Sequence, residues 1–416
     1  MGISPARCRL IHDLMEKEKN SMIYKTFQDK KLSTLGFGTM RLPTLPGGRS
    51  ADIDEAQALK MMAYAHENGV NYFDTAYMYH GGASERVVGK ALQQFPSGTY
   101  YLATKFPGHE IRQTYNVRQI FEDQLHKCAV ERFDFYLLHN VYENSLKTYL
   151  DPQWGIIDYL LEQKRNGRIG HLGFSSHGQV ENLKQFLDRY GEVMEFCQIQ
   201  LNYLDWVLQD AKSKYELLTE YGIPVWVMEP VRGGKLAALS EEDEKRLKEA
   251  RPHESIAAWS FRWLQKLPNV YVTLSGMSTI EQVQDNLKTF SEEKPLTENE
   301  LSMLEEVAAG MLDLLPCTAC RYCCTACPQE LDIPALLALY NECRFEPSFV
   351  ASMAVDAMDP QKRPSACIQC GNCTSVCPQN IDVPQALQQF QAILDMLPHW
   401  GAISADRENE SKESET

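Results

Sequence analysis

The sequence predicts two units: an α/β unit folded as a TIM (β/α)8 barrel, then a small, mainly α-helical unit built on a duplicated cysteine motif. Three observations predict them. From residue 32 to about 290, short β-branched or aromatic runs alternate with amphipathic stretches, as in strands separated by helices. The runs are apolar on both faces, as expected of a parallel sheet covered by helices. Ten of the 13 cysteines fall between Cys317 and Cys377, leaving only Cys8, Cys128 and Cys197 for the rest of the chain.

The first 22 residues carry little structural signal and read as an N-terminal extension (1–22). IYKTFQDKKLSTLGFGTMRLP reads as a hairpin running into a strand. The strand candidates are 32–40, 71–75, 100–105, 133–139, 169–175, 196–201, 224–229 and 270–275. Helical stretches lie between them at 55–68, 84–94, 117–129, 180–190 and 279–290. Eight β-then-α units in a 23–295 domain fit a barrel better than an open doubly wound sheet, and the first βα turn lacks GxGxxG. A linker helix is expected within 296–314, a cysteine-rich domain at 315–400, and an acidic disordered tail at 401–416.

Composition narrows the function classes. Forty-one Lys and Arg against 56 Asp and Glu leave a formal charge of −15. That balance argues against non-specific nucleic-acid binding and against attraction to an anionic membrane. No apolar run reaches the ~20 residues that span a bilayer. Asp13, Glu16, Lys17 and Glu18 interrupt the N-terminus before a hydrophobic stretch forms, so no secretory signal is expected. The expectation is a cytoplasmic protein with reduced cysteines. A dense cysteine cluster in such a compartment points to metal or redox chemistry.

The cysteines form a repeat. Cys317, Cys320, Cys323 and Cys327-Pro328 recur fifty positions later as Cys367, Cys370, Cys373 and Cys377-Pro378. The similarity continues as CPQELDIPALL and CPQNIDVPQAL, with Asp332 and Asp382 placed to start helices that carry Pro in the first turn. Each copy reads C-x2-C-x2-C-x3-C-P, the spacing that wraps an iron–sulfur cube. Zinc is the competing reading, but tetrahedral zinc sites use CxxC pairs set further apart. Cys324 is a rival ligand to Cys323, although the repeat registers Cys323 with Cys373. Cys343, Cys128 and Cys197 read as packing residues. Thirty-nine helical-looking residues separate Cys327 from Cys367. This segment therefore resembles the α-helical ferredoxin domains of larger redox enzymes. That resemblance implies two cross-ligated 4Fe-4S clusters, one held by Cys317, Cys320, Cys323 and Cys377, the other by Cys367, Cys370, Cys373 and Cys327.

In the barrel, strand ends deliver a carboxylate, a phenol, an amine and an imidazole to the C-terminal rim, where TIM barrels hold their active sites. FDTAYMY places Asp74 and Tyr79 there, LATKF places Lys105, and YLLHN places His139. This set suits carbonyl reduction. Tyrosine is a poor acid at its ordinary value of ~10, so a nearby ammonium must favour its phenolate. Lys105 can do so, held by Asp74, while His139 orients the carbonyl oxygen. His80, His171 and His177, in or near these loops, read as loop or surface residues. Trp206, Trp259 and Trp263 read as packing.

LGFGTMRLP, FDTAYMYHGGASE, LATK, FDFYLLH, GRIGHLGFSSH, QIQLNY, MEPVRGGKL and SGMSTIEQVQDNL together resemble the aldo-keto reductase family over residues 23–290. The whole chain resembles the branch that carries a C-terminal ferredoxin-type domain. The resemblance implies Asp74, Tyr79, Lys105 and His139 as a catalytic tetrad, Tyr79 as proton donor, and a nicotinamide cofactor across the barrel mouth. Ser175 and Gln198 would hold the carboxamide, Ser275, Gly276 and Ser278 the adenosine phosphates, and Gln282 and Asn286 the adenine. Met228 stands where the family places its stacking aromatic, and Ser176 where it places an asparagine. No Lys or Arg in the last strand's loop grips a 2′-phosphate, so NADP and NAD both remain open. The expected substrate is a small carbonyl or alcohol, with a redox protein as possible partner of the clusters. A second reading is a redox-sensing or electron-transfer docking protein whose barrel binds nucleotide with little catalysis.

Overall fold

The computed structural model describes residues 22–109, 115–317, 319–347 and 349–397. Residues 1–21 of the expected extension and the tail at 401–416 lie outside them. Met22 is buried in the barrel's main core, so packing begins one residue before the expected boundary.

Strands β1 (Tyr24–Phe27) and β2 (Lys30–Ser33) form an antiparallel hairpin. Its turn is possible because Gln28 adopts left-handed backbone (φ 51°). Eight parallel strands then close into a barrel: β3 (Leu35–Gly38), β4 (Tyr72–Asp74), β5 (Tyr101–Phe106), β6 (Phe133–Leu138), β7 (Ile169–Ser176), β8 (Cys197–Gln200), β9 (Val225–Met228) and β10 (Val270–Gly276). β10 pairs with β3 to complete the ring. The continuous run expected at 32–40 is thus two elements, broken at Thr34, where the chain leaves the hairpin and enters the barrel.

The hairpin has a packing role. Phe27 and Leu32 join Tyr72, Phe135, Phe196 and Trp226 in a buried cluster inside the ring, and Phe27 meets Trp226 edge-on at 5.1 Å. One end of the barrel is therefore plugged by apolar side chains, which leaves the C-terminal rim as the open face. His171 belongs to this plug rather than to a site loop. It is buried, stacked on Phe135 at 4.9 Å, and bonded to Glu195 at 3.0 Å.

The helices begin where side chains can satisfy their free N–H groups. Asp54 accepts from Gln57 N, Asn116 from Gln119 N and Ser255 from Ala258 N. Thr297 and Glu300 form a capping box that starts helix Glu298–Met311.

Beyond that helix the duplication is visible in the backbone. Left-handed residues recur at a fifty-residue offset: Ala319 and Gln369, Arg321 and Gly371, Glu330 and Asn380. Each copy has a short helix (Tyr322–Ala326, Asn372–Ser375) and then a longer one capped by aspartate (Ile333–Phe345 by Asp332, Val383–Leu394 by Asp382). The two long helices pack together, with Leu336, Leu337, Leu387 and Phe390 in the core they share.

This cysteine-rich unit sits on the barrel's C-terminal face. Helix Ile333–Phe345 rests on the short helix Asp205–Leu208 that follows β8. Arg232, in the loop after β9, pairs with buried Asp205 and lies 3.6 Å from Glu342. Gln209 donates to the same Glu342 at 2.5 Å. No helix among the described residues is long and apolar enough to cross a membrane.

Candidate active site and cysteine centres

β4 ends at Asp74, β5 carries Lys105 as its penultimate residue, and His139 follows β6 directly. Tyr79 opens the short turn after β4, where His80 and Gly81 take left-handed backbone and swing the chain back over the rim. These four groups converge. Lys105 Nζ donates to Asp74 Oδ1 at 2.6 Å, to the Thr75 carbonyl at 2.8 Å and to the Tyr79 hydroxyl at 3.3 Å. The His139 ring lies edge-on to the Tyr79 ring at 5.8 Å. His109 packs against His139 at 4.1 Å.

The electrostatics follow from burial. Lys105 is wholly buried. Burial opposes its charge, but Asp74 and Tyr79 outweigh that and raise its pKa above the ordinary lysine value. Burial raises the Asp74 carboxyl, with the Lys105 ammonium pulling it back down. For Tyr79, burial also outweighs Lys105, so its phenol sits above 10.0 and is protonated at rest. The sequence argument anticipated only the downward pull of the ammonium. The net result is a phenol that holds its proton next to a fixed cation.

A second buried network braces this site. Glu85, fully buried, accepts from Thr104 at 2.6 Å and from Gln124 at 2.7 Å. Gln124 also donates to the backbone carbonyl of Lys105 at 3.0 Å and accepts from the Tyr136 hydroxyl. Nothing in the local spacing distinguishes Glu85 from an exposed first-turn glutamate, which is why sequence reasoning missed it.

The residues expected to hold a nicotinamide dinucleotide lie on the adjoining strand ends, except Ser278 in the loop after β10 and Gln282 and Asn286 on the helix Ile280–Thr289 that follows it. Ser175 is buried near the end of β7, where its hydroxyl accepts from Asn140 N at 2.8 Å. Ser176 donates to the Val141 carbonyl at 2.6 Å, so its role is to latch two loops. Gln198 on β8 is buried, and its Oε1 has no hydrogen-bond partner among the described residues. Such an acceptor suits an amide N–H. Met228 ends β9, half-buried. At β10, Asn286 donates to Ser275 at 2.9 Å, and Gln282 accepts from Ser278 N at 2.8 Å. Gly276 is exposed, and a Cβ there would meet the Arg41 side chain at 3.2 Å. Arg41 therefore brings to the β10 rim a cation that the last strand's own loop lacks; it comes from the loop after β3 and was not expected there.

His80 is a buried staple, not a surface residue: Leu42 N donates to its Nε2 at 3.2 Å, and its Nδ1 bonds the Ser50 carbonyl at 2.7 Å. Trp206 and Trp263 pack edge to face at 5.2 Å.

In the C-terminal unit the eight motif cysteines fall into two groups. Cys317, Cys320, Cys323 and Cys377 line one cavity, closed by Leu337, Ile381 and Val383. Cys327, Cys367, Cys370 and Cys373 line the other, closed by Leu331, Ile333 and Leu387. Cys323 and Cys373 are buried while Cys320 and Cys370 are exposed, so the two copies present their thiols alike. Left-handed residues lie between the cysteines, Ala319 and Arg321 in one copy and Gln369 and Gly371 in the other, a backbone form in which successive N–H groups can cradle an anionic group. Thiol donors, apolar walls and such loops fit a 4Fe-4S cluster in each cavity. Cys343 is buried in the helical core, and Cys324 is partly buried beside Cys323.

Comparison with known proteins agrees with both halves. A model of the Aldo/keto reductase family matches residues 34–309, and a model of a 4Fe-4S dicluster domain matches residues 316–381. An NADH-specific methylglyoxal reductase of Escherichia coli (strain K12) is 24% identical over 326 residues, covering 68% of this chain and 97% of that protein. Probable aldo-keto reductase 1 of Glycine max is 27% identical over 267 residues, covering 61% of this chain and 71% of that protein. Among solved structures, an aldo-keto reductase from Bacillus halodurans in its holo form superposes with a TM-score of 0.56 at 27% identity, over 69% of this chain and 96% of that one. A closed parallel barrel with carboxylate, phenol, amine and imidazole converging on its rim, followed by a dicluster unit, thus places this chain in the aldo/keto reductase family, with a C-terminal 4Fe-4S dicluster domain.

Proposed function

We propose that the protein is an NAD(P)-dependent oxidoreductase that interconverts a small carbonyl compound and its alcohol, and that its second domain holds two 4Fe-4S clusters for one-electron exchange with a redox protein. The observation that carries the barrel's part is the Lys105 ammonium, within hydrogen-bond reach of both Asp74 and the Tyr79 hydroxyl.

A nicotinamide dinucleotide, when bound, supplies or accepts the hydride at the carbonyl carbon. Tyr79 holds the proton destined for the carbonyl oxygen and takes it back in the reverse direction. Lys105 favours the phenolate left after transfer, and Asp74 together with the Thr75 carbonyl fixes the ammonium in place. His139 lies edge-on to the phenol ring and orients the substrate oxygen. Ser175 and Gln198 would hold the carboxamide, and Ser275, Gly276, Ser278, Gln282 and Asn286 the adenosine end, with Met228 against the ring. Cross-ligation of the clusters by Cys317, Cys320, Cys323 with Cys377, and Cys367, Cys370, Cys373 with Cys327, is supported by the two cavities those residues line. Cysteines left free of disulfides, as cluster ligation requires, support a reducing compartment such as the cytoplasm as the protein's location.

Anaerobically purified protein tests both halves. We expect about eight irons per chain, as two 4Fe-4S clusters require, and oxidation of NADH or NADPH that depends on an added small aldehyde. Zinc in place of iron would overturn the assignment of the C-terminal domain; intact clusters with no aldehyde-dependent oxidation would overturn that of the barrel.

A further inference from the structure

The dicluster domain touches the barrel at a place that matters for substrate. Tyr142 and Met353, each about 1% exposed, bury one another and form a packing unit separate from the cores of both domains. Met353 lies on helix Phe349–Asp356, between the two cysteine motifs, and Phe349 on the same helix meets the His177 ring edge-on at 6.1 Å. Tyr142 comes three residues after His139, and His177 two residues after Ser175. Their loops are latched together: Val141 N donates to the Ser175 carbonyl at 2.7 Å, and His177 N donates to Asn140 Oδ1 at 3.0 Å.

We infer that the dicluster domain supplies an outer wall of the substrate cleft, with Met353 and Phe349 setting which carbonyl compounds fit through their contacts with Tyr142 and His177. The inference rests on the carbonyl-reductase reading of the barrel. One feature beneath the wall marks it as substrate-facing. The Tyr142 hydroxyl has Asn144 as a partner, but His177 Nδ1 is buried with no hydrogen-bond partner among the described residues. A buried polar atom left in that state is costly, and a second oxygen function on the substrate would satisfy it. Burial, reinforced by nearby Lys214, also lowers the His177 pKa to about 4, so the imidazole meets a substrate neutral. The cleft therefore suits a short carbonyl compound with a neighbouring hydroxyl or carbonyl group, and Met353 limits its length.

The test compares wild type, Met353→Ala and Phe349→Ala against aldehydes of increasing chain length, using kcat/KM ratios, with iron content measured for each preparation. Shortening Met353 should shift the ratio of long to short aldehydes toward the long ones by about tenfold, the lower end of what a methylene in an apolar pocket discriminates, with kcat for the shortest aldehyde unchanged. Phe349 is 41% exposed, so Phe349→Ala probes the same wall without opening a buried cavity and should shift the ratio in the same direction. Ratios unchanged in both variants, with wild type active and iron intact, would overturn the wall alone. A wild type that reduces no aldehyde would overturn the carbonyl-reductase reading and the wall with it.

Discussion

Lys105 is buried beside one carboxylate and one phenol, and its charge matters more for chemistry than for packing. Lys105→Met should lower kcat by about 10²- to 10⁴-fold, the range for general acid catalysis, with nucleotide affinity unchanged; steady-state kinetics and nucleotide titration check this. Asp74→Asn acts through Lys105. Asp74 is what holds the lysine above its ordinary value against the cost of burial, so without it the ammonium loses its proton at lower pH. The alkaline limb of the kcat profile should then move to lower pH. In wild type the limb should lie above pH 10, because burial raises the Tyr79 phenol. Asp74, Tyr79, Lys105 and His139 were legible in the sequence because strand ends can be read from period and because the open rim collects them. Glu85 and Tyr142 were not, because burial and cross-domain contact are decided by chain segments far from them.

The elements show where local signals suffice and where packing decides. Helix starts could be read at Asp332 and Asp382 because a side-chain cap is a local device. The split of the first expected strand at Thr34 could not, since it serves the plug made by Phe27 and Leu32. His171 looked like a loop residue, but its ring completes the same plug. Helix Ser84–Leu92 approaches helix Val117–Cys128 through Gly89, where a Cβ would come within 2.6 Å of the Cys128 carbonyl oxygen. Since that contact is backbone, Gly89→Ala should destabilise by about 1–3 kcal/mol, as overpacking does, and chemical denaturation measures it. Glu195, near the plugged end, is subject to burial that would raise its pKa. Bonds from His171, Lys164, Leu172 N and Gln28 overcome this and lower it from 4.5 to about 2. Its contribution is therefore fully present above pH 4.5 and lost as pH falls toward 2. Allowing for its partial exposure, on the order of 1–2 kcal/mol is at stake. Glu195→Gln should lower the Tm at neutral pH, and the gap to wild type should close near pH 2.

At the scale of the whole molecule, the two domains share one face. The barrel is plugged at one end, so its loops gather at the other, and the dicluster domain is seated there on the segments that follow β6, β7, β8 and β9. The order of domains and the fifty-residue duplication were legible, since they are written in spacing. The seating was not: Gln209 and Glu342 are 133 positions apart, and neither carries a local signal. Arg232 is the hinge of that contact, pairing with Asp205 below and Glu342 above. Arg232→Ala leaves a carboxylate buried without its cation and should cost about 3–5 kcal/mol, read as a lower denaturation midpoint with iron content as the control for the dicluster domain.

One measurement bears most directly on the barrel's chemistry: aldehyde-dependent oxidation of NADH or NADPH by wild type and Tyr79→Phe, with nucleotide binding and iron content followed in the same preparations. Phenylalanine keeps the ring against His139 and removes only the hydroxyl that Lys105 reaches. Loss of turnover with nucleotide binding and iron unchanged is the predicted result. Turnover undiminished in Tyr79→Phe would contradict the assignment of Tyr79 as the proton donor.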